Sequence, residues 1–350
     1  MERIKKQEPL SVQMKKHSKK VVKEDKEEQE GDFGIIISTG STLLDLAISG
    51  GRIHGGGIPG GIFVEIFGPS GAGKTILLCE IAGDVQRKGG DVRFDDPEAR
   101  LNKQFAKLFD LNTDKIKYDT PDKVTEVFNN IRNWEPKGKG VNGTFTDSLA
   151  ALSTDIEMDK DEGDKMGMRR AKEFSEGFRK NARILKQKNY LMVCSNQVRE
   201  NQDAGTYGSK FKSTGGFAIG FYASLRLRAG NPEKIYKSVP IKGKEVKQVI
   251  GVETQFEVFK SSIWKPYHKA PLYILFDYGI DDIRGNLQYI KTYKKLSMYT
   301  VNGQNLDKSL EESILIVEND SDLIASLKEE VIDLWEDIES KFASNRKKVR

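Results

Sequence analysis

Gly68-Pro69-Ser70-Gly71-Ala72-Gly73-Lys74-Thr75 is the stretch on which the fold turns. In the pattern G-x-x-x-x-G-K-T, a side chain at Gly68 or Gly73 would obstruct a backbone that wraps tightly enough to aim its amides at phosphate oxygens. Lys74 would then neutralise the β and γ phosphates, Thr75 would offer its hydroxyl to a magnesium ion (Mg2+), and the following helix would present its positive end. The flanks have the required form. Upstream, Ile62, Val64 and Ile66 alternate with Phe63 and Phe67, so both faces are largely apolar, as in a parallel strand covered by helices. Downstream, Ile76, Leu77, Ile81 and Val85 share one helical face. A Gly-rich turn with no ligand is the bland alternative, and the strand before and helix after argue against it. The stretch therefore predicts binding of a nucleoside triphosphate, ATP with Mg2+.

Working outward, a helix is expected over 41–49, and further strands over 91–94, 143–146, 191–195, 224–228, 252–259 and 272–276. Helical stretches separate the early strands; Ala171, Phe174, Phe178, Ala182 and Leu185 mark one of them. Strand and helix in alternation predict an α/β fold with a sheet mainly parallel at its centre. The later strands lack intervening helices, which predicts an antiparallel extension. From about Arg284 the texture changes to short strands and a final amphipathic helix with Leu323, Leu327, Val331 and Leu334 in register. We expect a charged, disordered arm over 1–33, a core over 34–283 and a small α+β domain over 284–350. The arm is Lys-rich and then acidic; it reads as a solvated tail, or alternatively as a contact for nucleic acid or a neighbouring subunit.

Composition excludes several classes. No apolar run approaches the roughly eighteen residues of a membrane span, so a cytoplasmic protein with no membrane partner is expected. The two cysteines, Cys79 and Cys194, lie in apolar stretches and suit buried free thiols in a reducing compartment. The three histidines, His17, His54 and His268, lack metal-ligand spacing. A net charge of +5 does not by itself identify a polyanion partner.

A P-loop enzyme also needs a carboxylate on a neighbouring strand to hold the water shell of the magnesium ion. Asp147, in Thr144-Phe145-Thr146-Asp147-Ser148, is the candidate, with a loop-capping Asp as the alternative. Glu98, just past the strand ending near Phe94, could orient an attacking water; an ordinary surface Glu is the alternative.

Beyond the loop, the chain resembles the RecA-type recombinases. The likeness runs through Ile37-Ser38-Thr39-Gly40-Ser41, Leu44-Asp45, Val64-Glu65-Ile66-Phe67-Gly68-Pro69 and Asp147-Ser148-Leu149-Ala150-Ala151-Leu152. It continues through Gly163-Asp164-Lys165-Met166-Gly167, Ser195-Asn196-Gln197-Val198-Arg199, Ser213-Thr214-Gly215-Gly216 and Phe221-Tyr222-Ala223-Ser224-Leu225-Arg226-Leu227. Leu296-Ser297-Met298-Tyr299 and Asn302-Gly303 are similar to the family's small C-terminal domain, so the resemblance spans about 35–340.

The resemblance implies a RecA-like P-loop ATPase core. It makes Glu98 the base that activates water and Gln197 the sensor of the γ phosphate, with Lys74 and Lys260 as further catalytic groups. Nucleotide contacts fall on the whole loop, Gly68, Pro69, Ser70, Gly71, Ala72, Gly73, Lys74 and Thr75, and around adenine on Asn102 and Phe105. Thr75, and Asp147 through water, would hold the metal. Behind Gln197 a long loop is expected over 199–214, where cations and rings suit a single strand. There Arg199, Tyr207, Lys210, Phe211, Lys212, Ser213, Thr214, Gly215 and Gly216 are the candidate DNA contacts. A first DNA loop matches 155–165; because it is mostly acidic, its contact is expected at Arg169 or Arg170.

Departures are visible. Where relatives place two lysines that reach the neighbour's ATP, this chain has Lys260 and then Ser262, with Lys265 a candidate substitute. The C-terminus, Arg346-Lys347-Lys348-Val349-Arg350, lacks an acidic tail. Such divergence suits a phage-encoded member. The implied activity is a DNA-dependent ATPase that self-associates into a helical filament on single-stranded DNA and exchanges strands with homologous double-stranded DNA. A regulatory paralogue that binds ATP without exchanging strands, and a hexameric helicase motor, are the alternatives.

Overall fold

The computed structural model describes residues 34–101, 106–109, 111–154, 166–200, 211–213, 216–344 and 346. The expected arm over 1–33 lies outside them, as do the body of the first loop and residues 201–210 of the second. Along the chain the strands are β1 (Ile36–Ile37), β2 (Ile58–Pro59), β3 (Phe63–Gly68), β4 (Val92–Asp95), β5 (Ile116–Asp119), β6 (Asn142–Thr146) and β7 (Tyr190–Glu200). They continue as β8 (Phe211–Ser213), β9 (Leu225–Ala229), β10 (Glu233–Ile241), β11 (Lys244–Ser261), β12 (Lys269–Leu275), β13 (Gly279–Ile280), β14 (Thr300–Val301) and β15 (Gln304–Asn305). The helices are α1 (Thr42–Ser49), α2 (Lys74–Arg87), α3 (Val124–Arg132), α4 (Met166–Gln187), α5 (Gly216–Tyr222), α6 (Asp282–Tyr293), α7 (Leu310–Glu318) and α8 (Ser321–Lys341).

β3 lies at the middle of the main sheet because its residues can be buried on both faces; Val64 and Ile66 on one face, and Phe63 and Phe67 on the other, are all buried. The path across the sheet is β13-β12-β11-β9-β3-β7-β6-β4-β5. Every neighbouring pair from β9 to β5 is parallel, and β9, β11, β12 and β13 pair antiparallel. The expected sheet, parallel at its centre with an antiparallel extension, is therefore the one observed. Covering one face, α4 packs Phe174 and Phe178 against Phe63, Phe128 of α3 and Met192 of β7. Phe63 and Phe178 stack with ring centroids 4.4 Å apart.

Several strands differ from expectation. β7 continues past residue 195 to Glu200, and β8 returns antiparallel to it, pairing Val198 with Ser213, Arg199 with Lys212 and Glu200 with Phe211. The ends of the expected 199–214 loop are thus strand, because each segment satisfies the other's backbone groups. β11 begins at Lys244, well before residue 252, because the unforeseen β10 pairs with it through a turn at Lys242 and Gly243, whose φ values are 48° and 76°. The edge strand β5 was also unforeseen.

Ile35–Arg350 form one compact unit, within which α6 and α8 pack on α1. The buried face of α8 carries Leu327, Val331, Ile332 and Trp335. Leu323 and Leu334 of the expected stripe are only half-buried, since the wider Trp335 takes the central position. Asp45 joins the approach to α1 by accepting from the Thr39 amide at 2.8 Å and the Thr39 hydroxyl at 2.7 Å. Burial pushes its carboxyl up to about 6. Among the described residues, no helix is long and apolar enough to cross a membrane.

Candidate functional site

Gly73 caps α2 in the left-handed region, φ 84°, and a Cβ there would lie 2.2 Å from Ile274 Cδ1. At Gly68 a Cβ would lie 2.7 Å from the Ala229 carbonyl oxygen. Glycine at both positions follows from these two contacts. The loop they permit folds over its own lysine, whose Nζ donates to the carbonyls of Gly68 at 3.1 Å and Pro69 at 2.7 Å. Burial lowers the Lys74 pKa, while Asp147 and Glu98 pull it back up.

β3 and β7 place Gly68 beside Gln197 in parallel register. The chain leaving β6 sets Asp147 next to them, its amide donating to the Asp95 carbonyl at 3.1 Å. Thr75 Oγ1 donates to Asp147 Oδ2 at 2.6 Å, and Ser195 Oγ donates to the other carboxylate oxygen. A cavity of about 280 Å³ results, lined by Lys74, Thr75, Glu98, Asp147 and Gln197 and walled by Val252, Ile274 and Phe276. Five of the candidate side chains therefore converge on one space. Their chemistry fits a magnesium-bound triphosphate. One cation and a helix N-terminus suit phosphates, the loop leaves no room for a Cβ at Gly68 or Gly73, and a paired hydroxyl and carboxylate offer the hard oxygen ligands that magnesium takes.

Glu98 is largely shielded and pairs with the exposed Arg100 at 2.9 Å. Lys260 is not among the residues lining the cavity. Its Nζ donates to the carbonyls of Gly220 at 2.9 Å and Phe221 at 3.0 Å, at the C-terminal end of α5. Burial, and then the nearby Arg226, lower its pKa. Ser262 Oγ donates to the Ser224 carbonyl at 3.2 Å, whereas Lys265 pairs with Glu339 at 3.5 Å and lies over the Trp264 ring.

Of the candidate DNA contacts, Arg170 donates to the carbonyls of Leu149 at 3.0 Å and Ala150 at 2.7 Å, which gives it a structural task. Arg169 lies beside it on α4. Arg199 sits in β7 opposite Lys212, Phe211 and Ser213 lie in β8, and Gly216 opens α5. Tyr207, Lys210, Thr214 and Gly215, and at the adenine position Asn102 and Phe105, fall outside the described residues.

Sequence reasoning missed Ser195, Arg100 and a buried network next to the site. Glu65, fully buried in β3, accepts from Asn196 Nδ2 at 2.9 Å and Arg226 Nε at 2.6 Å. The Arg226 guanidinium lies 4.5 Å from the Phe67 ring centroid and 5.3 Å from that of Phe259. The available signal was a single carboxylate inside an otherwise apolar parallel strand, which is tolerated only when paired.

A family model described as the RecA N-terminal domain matches residues 7–281. The chain is 31% identical over 282 residues to a Protein RecA of Borrelia hermsii (strain HS1 / DAH), covering 79% of this chain and 76% of that one. Over 314 residues it is 30% identical to a Protein RecA of Wolbachia pipientis subsp. Culex pipiens (strain wPip), covering 88% and 83%. With a Protein RecA of Pseudomonas fluorescens it shares 29% over 319 residues, covering 89% and 86%.

Proposed function

This chain belongs to the RecA family, and on that premise we propose that the cavity at the phosphate loop holds ATP with magnesium and governs the grip of the β7–β8 segment on DNA. The protein is a RecA-type recombinase of recombination and repair, a nucleotide-binding, DNA-dependent ATPase with strand-exchange activity.

The observation that carries the proposal is the position of Gln197. It lines the cavity, and three residues later the same strand ends at Glu200, held there by β8. A side-chain amide at that point can meet a phosphate oxygen and transmit its displacement along a continuous strand. Lys74 binds the β and γ phosphates, and the loop from Gly68 to Thr75 supplies amides around them. Thr75 and Asp147 would hold the metal, the carboxylate by way of its water shell, with Ser195 orienting that carboxylate. When bound, magnesium neutralises charge that develops on the phosphates. Glu98, released from Arg100, accepts the proton of the attacking water. Lys260 reaches a neighbouring protomer's nucleotide only after leaving the end of α5.

The finer partners belong to the same reading. The protein assembles as a helical filament on single-stranded DNA, contacting it through Arg169 and residues 199–216, and exchanges strands with homologous duplex in the cytoplasm. Residues from 284 onward act as a small C-terminal domain, and those before 34 as an arm. The test is ATP turnover and filament formation with and without single-stranded DNA, followed by strand exchange. Stimulated turnover, filaments and exchange are expected; filaments without exchange would overturn the reading in favour of a regulatory paralogue. Gln197→Ala is expected to retain ATP binding and lose ATP-induced tightening on DNA. Normal tightening in that variant would remove Gln197 from the switch.

A further inference from the structure

β10 and the first part of β11 form a two-stranded ribbon that none of the other described strands joins before Gly251. There β11 takes up its register with β12, and from Phe256 with β9. Every residue from 236 to 248 is exposed. At about 3.3 Å per residue, Tyr236 to Ile241 reach roughly 20 Å. An isolated ribbon with solvent on both faces buries no core and is marginal by itself.

Its side chains are not those of a neutral edge. From Lys234 to Gln248 there are five lysines and one glutamate, a local net charge of +4. One face pairs Lys237 with Gln248, Val239 with Val246 and Ile241 with Lys244, which sets an exposed apolar row between cations. On the other face Lys247 lies 4.4 Å from the Tyr236 ring centroid and so covers it. Lys242 stands at the turn. Lysine is a common means of keeping a solvated edge from pairing, but edge protection alone does not call for an apolar row between the cations. Lysines of one sign around a narrow apolar row match a polyanion with a less polar floor between two charged rails, which describes a groove of duplex DNA. The major groove is wide enough for a two-stranded β-ribbon.

Topology places the ribbon beside the machinery. β9 is parallel to β3 and β11 antiparallel to β9, so the ribbon leaves the sheet at the edge where Gly68 and Gln197 end their strands. Val252, just beyond the ribbon's base, lines the nucleotide cavity. We propose that the β10–β11 ribbon is a contact for double-stranded DNA, lying in a groove of the duplex with Lys237, Lys242, Lys244 and Lys247 on phosphates. This rests on the recombinase reading and adds to it the surface that receives the incoming duplex.

The test uses the full chain with Lys237, Lys242, Lys244 and Lys247 all replaced by Gln. Duplex affinity is measured by fluorescence anisotropy across a salt series. Four lost phosphate contacts are expected to make the slope of log K against log salt shallower by about 3–4. Replacement by Arg is expected to restore it, and turnover stimulated by single-stranded DNA is expected to stay at the parent level. In a second variant, Val239→Thr with Ile241→Thr, binding is expected to weaken with no change of slope. An unchanged slope and affinity in the Gln variant, with stimulated turnover intact, overturns the ribbon proposal alone. Loss of self-association without DNA, seen by sedimentation with duplex binding intact, overturns it in favour of a contact between copies. A parent protein whose turnover ignores single-stranded DNA overturns the recombinase reading and this inference together.

Discussion

Glu65 exposes none of its surface, yet it stands in a strand whose other residues carry no charge. Removing a carboxylate from water costs several kcal/mol, and only close, well-directed partners offset that cost. Arg226 at 2.6 Å and Asn196 at 2.9 Å are those partners, and the guanidinium is further held against Phe67 and Phe259. Arg226→Ala would leave the carboxylate buried without its cation. We expect it to lower the free energy of unfolding by about 3–5 kcal/mol, read from urea titration. Glu65→Leu combined with Arg226→Met should cost much less, because it removes both charges from the interior. Equal losses in the two variants would assign the effect to packing over the rings. The backbone N–H of Gln197 donates to Asn196 Oδ1 at 3.0 Å, so the ion pair that steadies Asn196 also steadies a residue that lines the cavity.

At the scale of elements, the junction of β3 with α2 is the most constrained. Gly73→Ala would force a Cβ into the left-handed region, at a cost of about 1–2 kcal/mol, and within 2.2 Å of Ile274 Cδ1. We expect it to abolish binding of a fluorescent ATP analogue. Adding Ile274→Ala should not restore binding, since it relieves the clash and leaves the backbone strain; recovery would show that the clash alone mattered. This junction was legible in the sequence because its information is local, an apolar strand, eight residues of loop and a helical face in succession. The antiparallel extension was legible for the converse reason, the absence of helices between strands. β10 was not, because a strand solvated on both faces has no apolar period; the turn residues Lys242-Gly243 were its one signal. The extension of β7 depends on β8, a pairing that no local pattern announces. Of the site, the loop could be read from its own residues; Glu98 was a candidate by its place after a strand, which the family resemblance then favoured over an ordinary surface Glu, and Gln197 stood out only through the resemblance. Arg100, Ser195 and Glu65 act through partners distant in sequence, and those partnerships appear only once the sheet has formed.

Across the whole molecule, the last helix meets the core through its buried apolar face and also through charge. His54, in the turn after α1, meets Glu336 at 3.1 Å and Glu329 at 3.4 Å on α8. His268 stacks on Trp264 and pairs with Glu339 at 3.1 Å, and Trp335 lies 5.4 Å from Trp264. The hydrogen bond to Glu336 raises the His54 pKa above its ordinary 6.5, against the opposing effect of burial. Asp333, on the same helix, is itself pushed up by burial and by Glu329 and Glu336. A histidine whose folded pKa is raised stabilises the folded state fully below its unfolded value and ceases to do so as pH rises through the folded one. His54→Gln should therefore destabilise the protein most at about pH 5.5 and least at about pH 8, with the urea midpoints of parent and variant converging between them. A gap that does not change with pH would mean that His54 serves by shape alone. Convergence would mean that the cation of His54 ties Glu329 and Glu336 of α8 to the turn after α1, a contribution lost as pH rises through the raised pKa of His54.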